Sequence, residues 1–470
     1  MTSMSKTATE MDQHNLSPSS DPNKNAASDP RRMRRIIAED PEWSLATVPT
    51  LVDLCLNHII TNFGSNPILK RLLKHHKERV LEKISTEIPI QVTANLVGDE
   101  GYWRRCCLEC WEVCDMSKHG GSWKSMFFER LLKNIIEHFI PETTDQVVIL
   151  ELVPLCKNYV RRLEISQLLP PVKQLPEVEE DDISEVGSNS ETSLDHFDFS
   201  MLLPKLLKLE ELHVTYGVKD CGMNFEWSIF EFTNTDCRLL AKAIKACISL
   251  KVLKLTRNKI DDDKLRVLIK HMLDHPSLME LDLSHNKIGD RGTRAIAKLV
   301  LSSKLEKIDL CNNEIKAHGA KALSYKLRRY TTLRSLNLRL NQIGDDGGQA
   351  IGRALIKSPT LEEIHLGSNE LTEPMAMVLS EVLAKNSVLK CIDLSCNSIG
   401  PDGGKQLQEG IAKNRTLLKF DLRLTEINQE TEYFINQVLY NNQERVREDM
   451  CKQKLVKATN SSTTDAPYSI

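Results

Sequence analysis

One pattern of apolar and polar positions returns seven times in the second half of the chain. Leu250, Leu253 and Leu255 are followed by Asn258 and Ile260. The spacing comes back at Leu278, Leu281, Leu283, Asn286 and Ile288, then at Leu305, Ile308, Leu310, Asn313 and Ile315. It continues through Asn341, Asn369 and Asn397, and a last copy reads Leu417, Phe420, Leu422, Thr425, Ile427. The step is 28 residues, with one step of 27 between Asn286 and Asn313. Leu-x-Leu alternation predicts a short strand with one face buried. The Asn falls where the chain leaves the strand, and its amide can serve backbone groups that lack a ladder partner. Six residues after the Asn a glycine recurs, at Gly292, Gly319, Gly347 and Gly403. Apolar pairs such as Ala295/Ile296 and Ala322/Leu323 follow, with Leu299, Leu327, Leu355 and Leu383 a turn later, which gives one apolar helix face per unit. A single unit cannot bury that face, whereas stacked neighbours can. The prediction is an α/β array with parallel strands inside and helices outside.

This pattern resembles the ribonuclease-inhibitor-like subclass of leucine-rich repeats, which implies a horseshoe solenoid. The ends depart from it, as end repeats do. Thr425 replaces the Asn, and Leu209-x-x-Leu212-x-Val214 reads as an earlier strand with Gly217 at the Asn position. Val160-x-x-Leu163-x-Ile165 reads as a further degenerate copy. Glu177 to Asp198 holds nine acids and few apolar residues, the composition of a disordered loop. The expected organisation is a disordered tail over 1–30, a mainly α-helical N-terminal domain over 31–145, and degenerate first repeats over 146–249 with the acidic loop at 174–198. Seven repeats over 250–443 and a C-terminal tail over 444–470 follow.

In the first half, Leu51, Leu54, Cys55, Ile59 and Phe63 form one helical stripe, and Leu69, Leu72, Leu73, Val80 and Ile84 another. Arg31-Arg32-Met33-Arg34-Arg35 is a basic cluster suited to an acidic partner surface or to a solvated helix start. Cys106, Cys107, Cys110 and Cys114, with His119, form the best candidate metal group, because Cys107-x-x-Cys110 has zinc-like local spacing. The same cysteines also follow helical periodicity between Trp103, Trp111 and Val113, so buried thiols in a helix core are the expectation, with no metal and no cofactor.

Composition narrows the function. With 62 basic and 65 acidic side chains, the net charge of −3 argues against a general nucleic-acid binder. Met1 to Ala27 is polar, without a secretory core segment, and the thirteen cysteines are expected as reduced thiols in the cytoplasm. No apolar run nears the roughly 20 residues that cross a bilayer. Phosphate-binding loops, nucleophile elbows and His-Glu-x-x-His are missing from the sequence, so no enzyme and no small-molecule substrate are expected. The working surface is expected on the inner face, where the residues between the two Leu of each strand project: Lys254, Asp282, Asp309, Asn337, His365, Asp393 and Asp421, with Arg339 and Arg423 in the next column.

Arg34-Arg35-Ile36-Ile37-Ala38-Glu39-Asp40-Pro41-Glu42-Trp43-Ser44-Leu45, followed by Val48-Pro49-Thr50-Leu51-Val52-Asp53-Leu54-Cys55-Leu56, resembles the family of dynein regulatory complex subunit five. The helical region, the acidic interruption and the terminal repeats resemble it too. That resemblance implies a structural and regulatory component of the nexin link in ciliary and flagellar axonemes. Its expected partners are other complex subunits and axonemal doublet proteins, in support of dynein-driven, notably sperm, motility. It implies no catalytic or ligand residues. The alternative is a substrate receptor of an elongin-type cullin ubiquitin ligase, because Thr50-Leu51-x-x-x-Cys55-x-x-x-Ile59 is similar to the short helix that engages elongin C.

Overall fold

The computed structural model describes residues 34–35, 47–171, 195–224, 227–329 and 331–461. The expected 1–30 tail, Arg31 to Met33, most of the 34–45 motif and most of the acidic loop lie outside these residues. The chain divides into two compact units, Met1–Arg105 and Cys106–Ile470.

In the first unit, β1 (Arg34–Arg35) pairs antiparallel with β2 (Thr47–Val48). Helices α1 (Leu51–Thr61), α2 (Lys74–Lys83) and α3 (Ile90–Leu96) follow, and α4 (Glu100–Cys110) runs through the unit boundary. Thr50 caps α1 by accepting from Asp53 N at 3.2 Å. The expected α1 stripe is corrected here: Leu56 and Phe63 are buried, while Leu51, Leu54 and Cys55 are exposed. The second stripe is cut as well, since α2 starts only at Lys74 and leaves Leu73 exposed as its cap residue.

In the second unit, α5 (Trp123–Glu137) and α6 (Val147–Cys156) lead into β3 (Arg162–Ile165) and β4 (Glu211–Val214). Strand and helix then alternate: α7 (Asn234–Ala246), β5 (Val252–Lys254), α8 (Asp262–Met272), β6 (Glu280–Asp282), α9 (Asp290–Ser302), β7 (Lys307–Asp309), α10 (Ala317–Leu327) and β8 (Ser335–Asn337). The series ends with α11 (Gly344–Leu355), β9 (Glu363–His365), α12 (Glu373–Lys385), β10 (Cys391–Asp393), α13 (Gly400–Ile411), β11 (Lys419–Asp421) and α14 (Gln429–Ser461). Strands β3 to β11 form one nine-stranded parallel sheet in sequence order. The register is uniform, with Leu212, Leu253, Leu281, Ile308, Leu336, Ile364, Ile392 and Phe420 side by side across successive rungs. All of these are buried, so each rung sets its aliphatic residues on its neighbours'.

The Asn of each unit ties rungs together. Asn341 Nδ2 donates to Leu310 O, Leu338 O and Arg339 O, and its Oδ1 accepts from Ile315 N at 3.1 Å. Asn258, Asn286, Asn313, Asn369 and Asn397 reach back to the preceding rung in the same way, while Thr425 ends the series with one bond to Leu422 O. The residue before each of these positions is left-handed without being glycine: Arg257, His285, Asn312, Leu340, Ser368, Cys396 and Leu424 lie at φ 53 to 59°.

Carboxylates link rungs on the helix side. Asp262 Oδ1 accepts from Gly289 N and Gly292 N, and Asp290 Oδ1 from Lys316 N and Gly319 N, so each serves the first turn of the next helix. At Gly292 and Gly319 a Cβ would stand 2.6 and 2.7 Å from those carboxylate oxygens, which is why glycine recurs there.

Both sheet edges carry caps. At β3, the buried Glu129 of α5 accepts from Arg161 N and Arg162 N at 2.7 and 2.9 Å, and Glu137 accepts from Ser166 N. At β11, Asn442 and Gln443 of α14 donate to Leu417 O and Leu418 O. Asp195–Asp198, read in sequence as the end of the acidic loop, is in place: Phe197 is buried and His196 donates to Asp236 of α7. Helix α14 continues through Ser461, well into the stretch read as a tail.

Candidate functional site: the concave face

The inner face carries the side chains between the buried positions of each strand. Lys254, Asp282, Asp309, Asn337, His365, Asp393 and Asp421 sit in register on consecutive strands. Pairing of β3, β4 and β5 adds Glu164 and His213 to this column. The same alternation puts Glu211, Val252, Glu280, Lys307, Ser335, Glu363, Cys391 and Lys419 on this face two residues earlier, a column that the two-residue period already implied. A small cleft of about 70 Å³ opens among Lys254, Glu280, Asp282, Lys307 and Asp309.

Most members of the acidic column have a backbone duty. Asp282 Oδ1 accepts from Ser284 N, Asp309 from Cys311 N, Asn337 from Arg339 N, Asp393 from Ser395 N and Asp421 from Arg423 N, at 2.9 to 3.2 Å. A short side chain bonding two residues ahead supports the bend that ends each strand. The remaining oxygens make side-chain contacts along the face. Asn337 Nδ2 donates to Asp309 Oδ2 at 2.9 Å, and Arg423 grips Asp421 with Nε and Nη2.

The densest group is Arg339, His365 and Asp393. Arg339 Nε stands 3.3 Å from Asp393 Oδ2 although the two are two rungs apart, and His365 Nδ1 on the rung between is 3.6 Å from the same oxygen. Gly367 permits this span. A Cβ there would lie 3.1 Å from Arg339 Nε and 2.8 Å from Ser395 Oγ. Burial pushes the Asp393 carboxyl upward, but the nearby His365 ring, hydrogen bonding from Ser395 and the Arg339 charge outweigh it and hold the group at about 2, against an ordinary 3.8. The lowered value contributes stability above the ordinary value and loses it as pH falls from near 4 towards 2. In urea titrations, wild type is expected to lose about 1.5 kcal/mol more than Asp393→Asn between about pH 6 and about pH 2.5. Equal losses would mean that the carboxylate is not held by these neighbours. At the other end of the column, burial and then the Lys254 charge push His213 down to about 4, so its ring is neutral at pH 7.

Along the strand-entry rim, Glu306, Arg334, Glu362 and Lys390 alternate in sign on consecutive rungs, with contacts of 4.0, 2.8 and 2.7 Å.

The cysteine group resolves differently. Cys107 is buried, and its thiol is pushed up to about 12 first by burial; Cys110 is exposed; Cys114 Sγ contacts the carbonyls of Cys107 and Trp111. His119 bonds Glu129, the residue that caps β3. Among the described residues no three His, Cys, Asp or Glu side chains are grouped to hold a metal ion, and no helix is long and apolar enough to cross a membrane.

Nine parallel rungs, an Asn bridge from rung to rung and helices on the outer side define the class: the chain is a leucine-rich-repeat protein. The Leucine Rich repeat family matches residues 246–263, 274–297, 331–352 and 385–407. The chain is 54% identical over 308 residues to dynein regulatory complex subunit 5 of Macaca fascicularis, covering 65% of this chain and 62% of that one. It is 56% identical over 272 residues to dynein regulatory complex subunit 5 of Homo sapiens, covering 57% and 54%. The chain thus spans less than two thirds of the length of these curated relatives. Among solved structures, an internalin from Listeria monocytogenes aligns over 62% of this chain and 68% of its own at 18% identity, with a TM-score of 0.33.

Proposed function

We propose that the chain is a non-catalytic scaffold subunit of the dynein regulatory complex in ciliary and flagellar axonemes, holding other subunits along its concave face and supporting dynein-driven motility. The identity of 54% over 308 residues to a subunit of that complex carries this reading. The face supports it physically, since rigid strands present fixed charges along a long arc, which suits an extended protein contact. The contacting residues are Lys254, Asp282, Asp309, Asn337, Arg339, His365, Asp393, Asp421 and Arg423. Full-length tagged chain is expected to sediment with demembranated axonemes. Cross-linking mass spectrometry should join Lys254, Lys307 and Lys419, which all stand on the concave face, to other subunits. A chain that stays diffuse in the cytosol would end the scaffold reading, and cross-links confined to lysines of the helical side would end the concave assignment alone.

A second reading, an elongin-type ligase receptor, draws on one observation: Leu51 is 76% exposed and Cys55 is exposed on the same helix. Elongin C should then co-purify with the full chain and be lost with Leu51→Ala. A pull-down without elongin C removes it.

A further inference from the structure

At the C-terminal end of the array, the 412–415 turn and α14 border a cleft of about 420 Å³. Lys413, Arg415 and Arg445 line it with Asn414, Asn441 and Asn442. No acidic side chain is among its lining residues, and among the described residues none of the three cations has an ion-pair partner.

The asparagines give the site a second, independent feature. Asn386, Asn414 and Asn442 recur at 28-residue steps. Asn386 Oδ1 accepts from Val388 N and Leu389 N, both at 2.8 Å, and Asn414 Oδ1 from Thr416 N and Leu417 N at 3.0 and 2.8 Å. In both cases the donors are two successive backbone N–H groups entering the next strand. Asn442 donates through Nδ2 to Leu417 O, which fixes the orientation of its amide. The residue is 1% exposed, and its Oδ1 has no hydrogen-bond partner. Helix α14 runs straight through Asn442 instead of turning into another strand, so the chain does not supply the N–H pair that fills this acceptor one and two rungs earlier. A buried acceptor without a donor is a strong demand for one.

We propose that this cleft binds an acidic polypeptide segment in extended form. Its carboxylates lie against Lys413, Arg415 and Arg445, and its backbone N–H groups donate to Asn442 Oδ1, as Thr416 and Leu417 do to Asn414. Three uncompensated cations select an anion. The empty carbonyl acceptor selects a donor beside that anion, which a peptide backbone carries and a polyphosphate does not.

The test uses the full chain and a fluorescently labelled oligoglutamate peptide, read by anisotropy. Lys413, Arg415 and Arg445 are exposed, so the double reversal Arg415→Glu/Arg445→Glu should leave thermal unfolding unchanged. It is expected to weaken peptide binding by at least about tenfold. The same peptide with N-methylated backbone amides should bind several-fold more weakly than the parent while carrying the same charge. Equal binding by wild type and the double variant would overturn the site. Equal binding of the N-methylated peptide, or equal occupancy by inorganic polyphosphate or single-stranded DNA, would overturn the peptide assignment. The concave-face residues take no part, so failure here is distinct from failure of the scaffold reading.

Discussion

Asn341→Ala is expected to cost about 2–3 kcal/mol of folding stability, because it leaves the buried Ile315 N without an acceptor at roughly 1–3 kcal/mol and takes one donor each from Leu310 O, Leu338 O and Arg339 O, which keep Asn313 Nδ2, Asn369 Nδ2 and Asn312 N. Its Nδ2 serves Leu310 O, Leu338 O and Arg339 O, and its Oδ1 serves Ile315 N. Two rungs are affected, because Leu310 and Ile315 belong to the preceding one. Asn341→Asp is a sharper probe, since it keeps the acceptor and the shape but removes the donors and adds a buried charge. It should destabilise at least as much as alanine at neutral pH. Urea unfolding of both variants, with amide exchange of the flanking rungs, checks this. A loss below about 1 kcal/mol, the ordinary cost of a surface change, would show that the ladder is ornamental.

Gly410→Ala is expected to be the most damaging single methyl that can be added to the described array. A Cβ at Gly410 would stand 2.4 Å from Ser380 O and 2.6 Å from Ser380 Cα, both backbone atoms of the neighbouring helix α12. Overpacking in a dense interior costs about 1–3 kcal/mol, and a clash with backbone falls at the top of that range because α12 and α13 must separate. Gly352→Ala is the matched control: its Cβ would meet Val378 Cγ1 at 2.7 Å, the tip of a side chain that can turn away. Thermal unfolding should rank Gly410→Ala clearly below Gly352→Ala. The reverse order would mean that the helices do not pack as closely as described.

Much of the repeat region is legible in the sequence, because its signal is a period. From 250 on, the first residue of every alternating apolar pair lands in a strand and the second just after it, and every Asn lands on the bridge between rungs, since burial of those positions forces both. Strands β3 and β4 are half-legible, because the insert between them removes the 28-residue spacing while leaving their alternation intact. The caps are not legible. Glu129 and Arg161 are 32 residues apart, and nothing in either position announces that one closes the edge of the other. Helix α14 is underestimated for a related reason: residues 447–453 are all exposed, so no apolar face marks the helix there while it continues. On α1 the apolar positions allow more than one stripe, and tertiary contacts choose Leu56 and Phe63 over Leu51 and Leu54.

The concave face shows the same division. Its first column can be read from the alternation, and the column through Glu280, Lys307 and Glu363 follows from the same rule applied two residues earlier. The duty of the aspartates to the N–H two residues on depends on a bend that appears only in three dimensions. The contact from Arg339 to Asp393 depends on what is missing between them, a side chain at Gly367.

The left-handed residue ahead of each Asn has a consequence for the whole array. At Leu340, Cys396 and Leu424 the backbone adopts a conformation that costs a non-glycine residue roughly 1–2 kcal/mol. At Leu340 and Cys396 part of what offsets this cost comes from the next coil, through Leu340 N to Gly367 O and Cys396 N to Arg423 O, and an isolated coil loses it. Independence is therefore denied to the individual coil: by thermal unfolding the array is expected to melt in blocks, and a single coil excised from its middle is expected to stay unfolded.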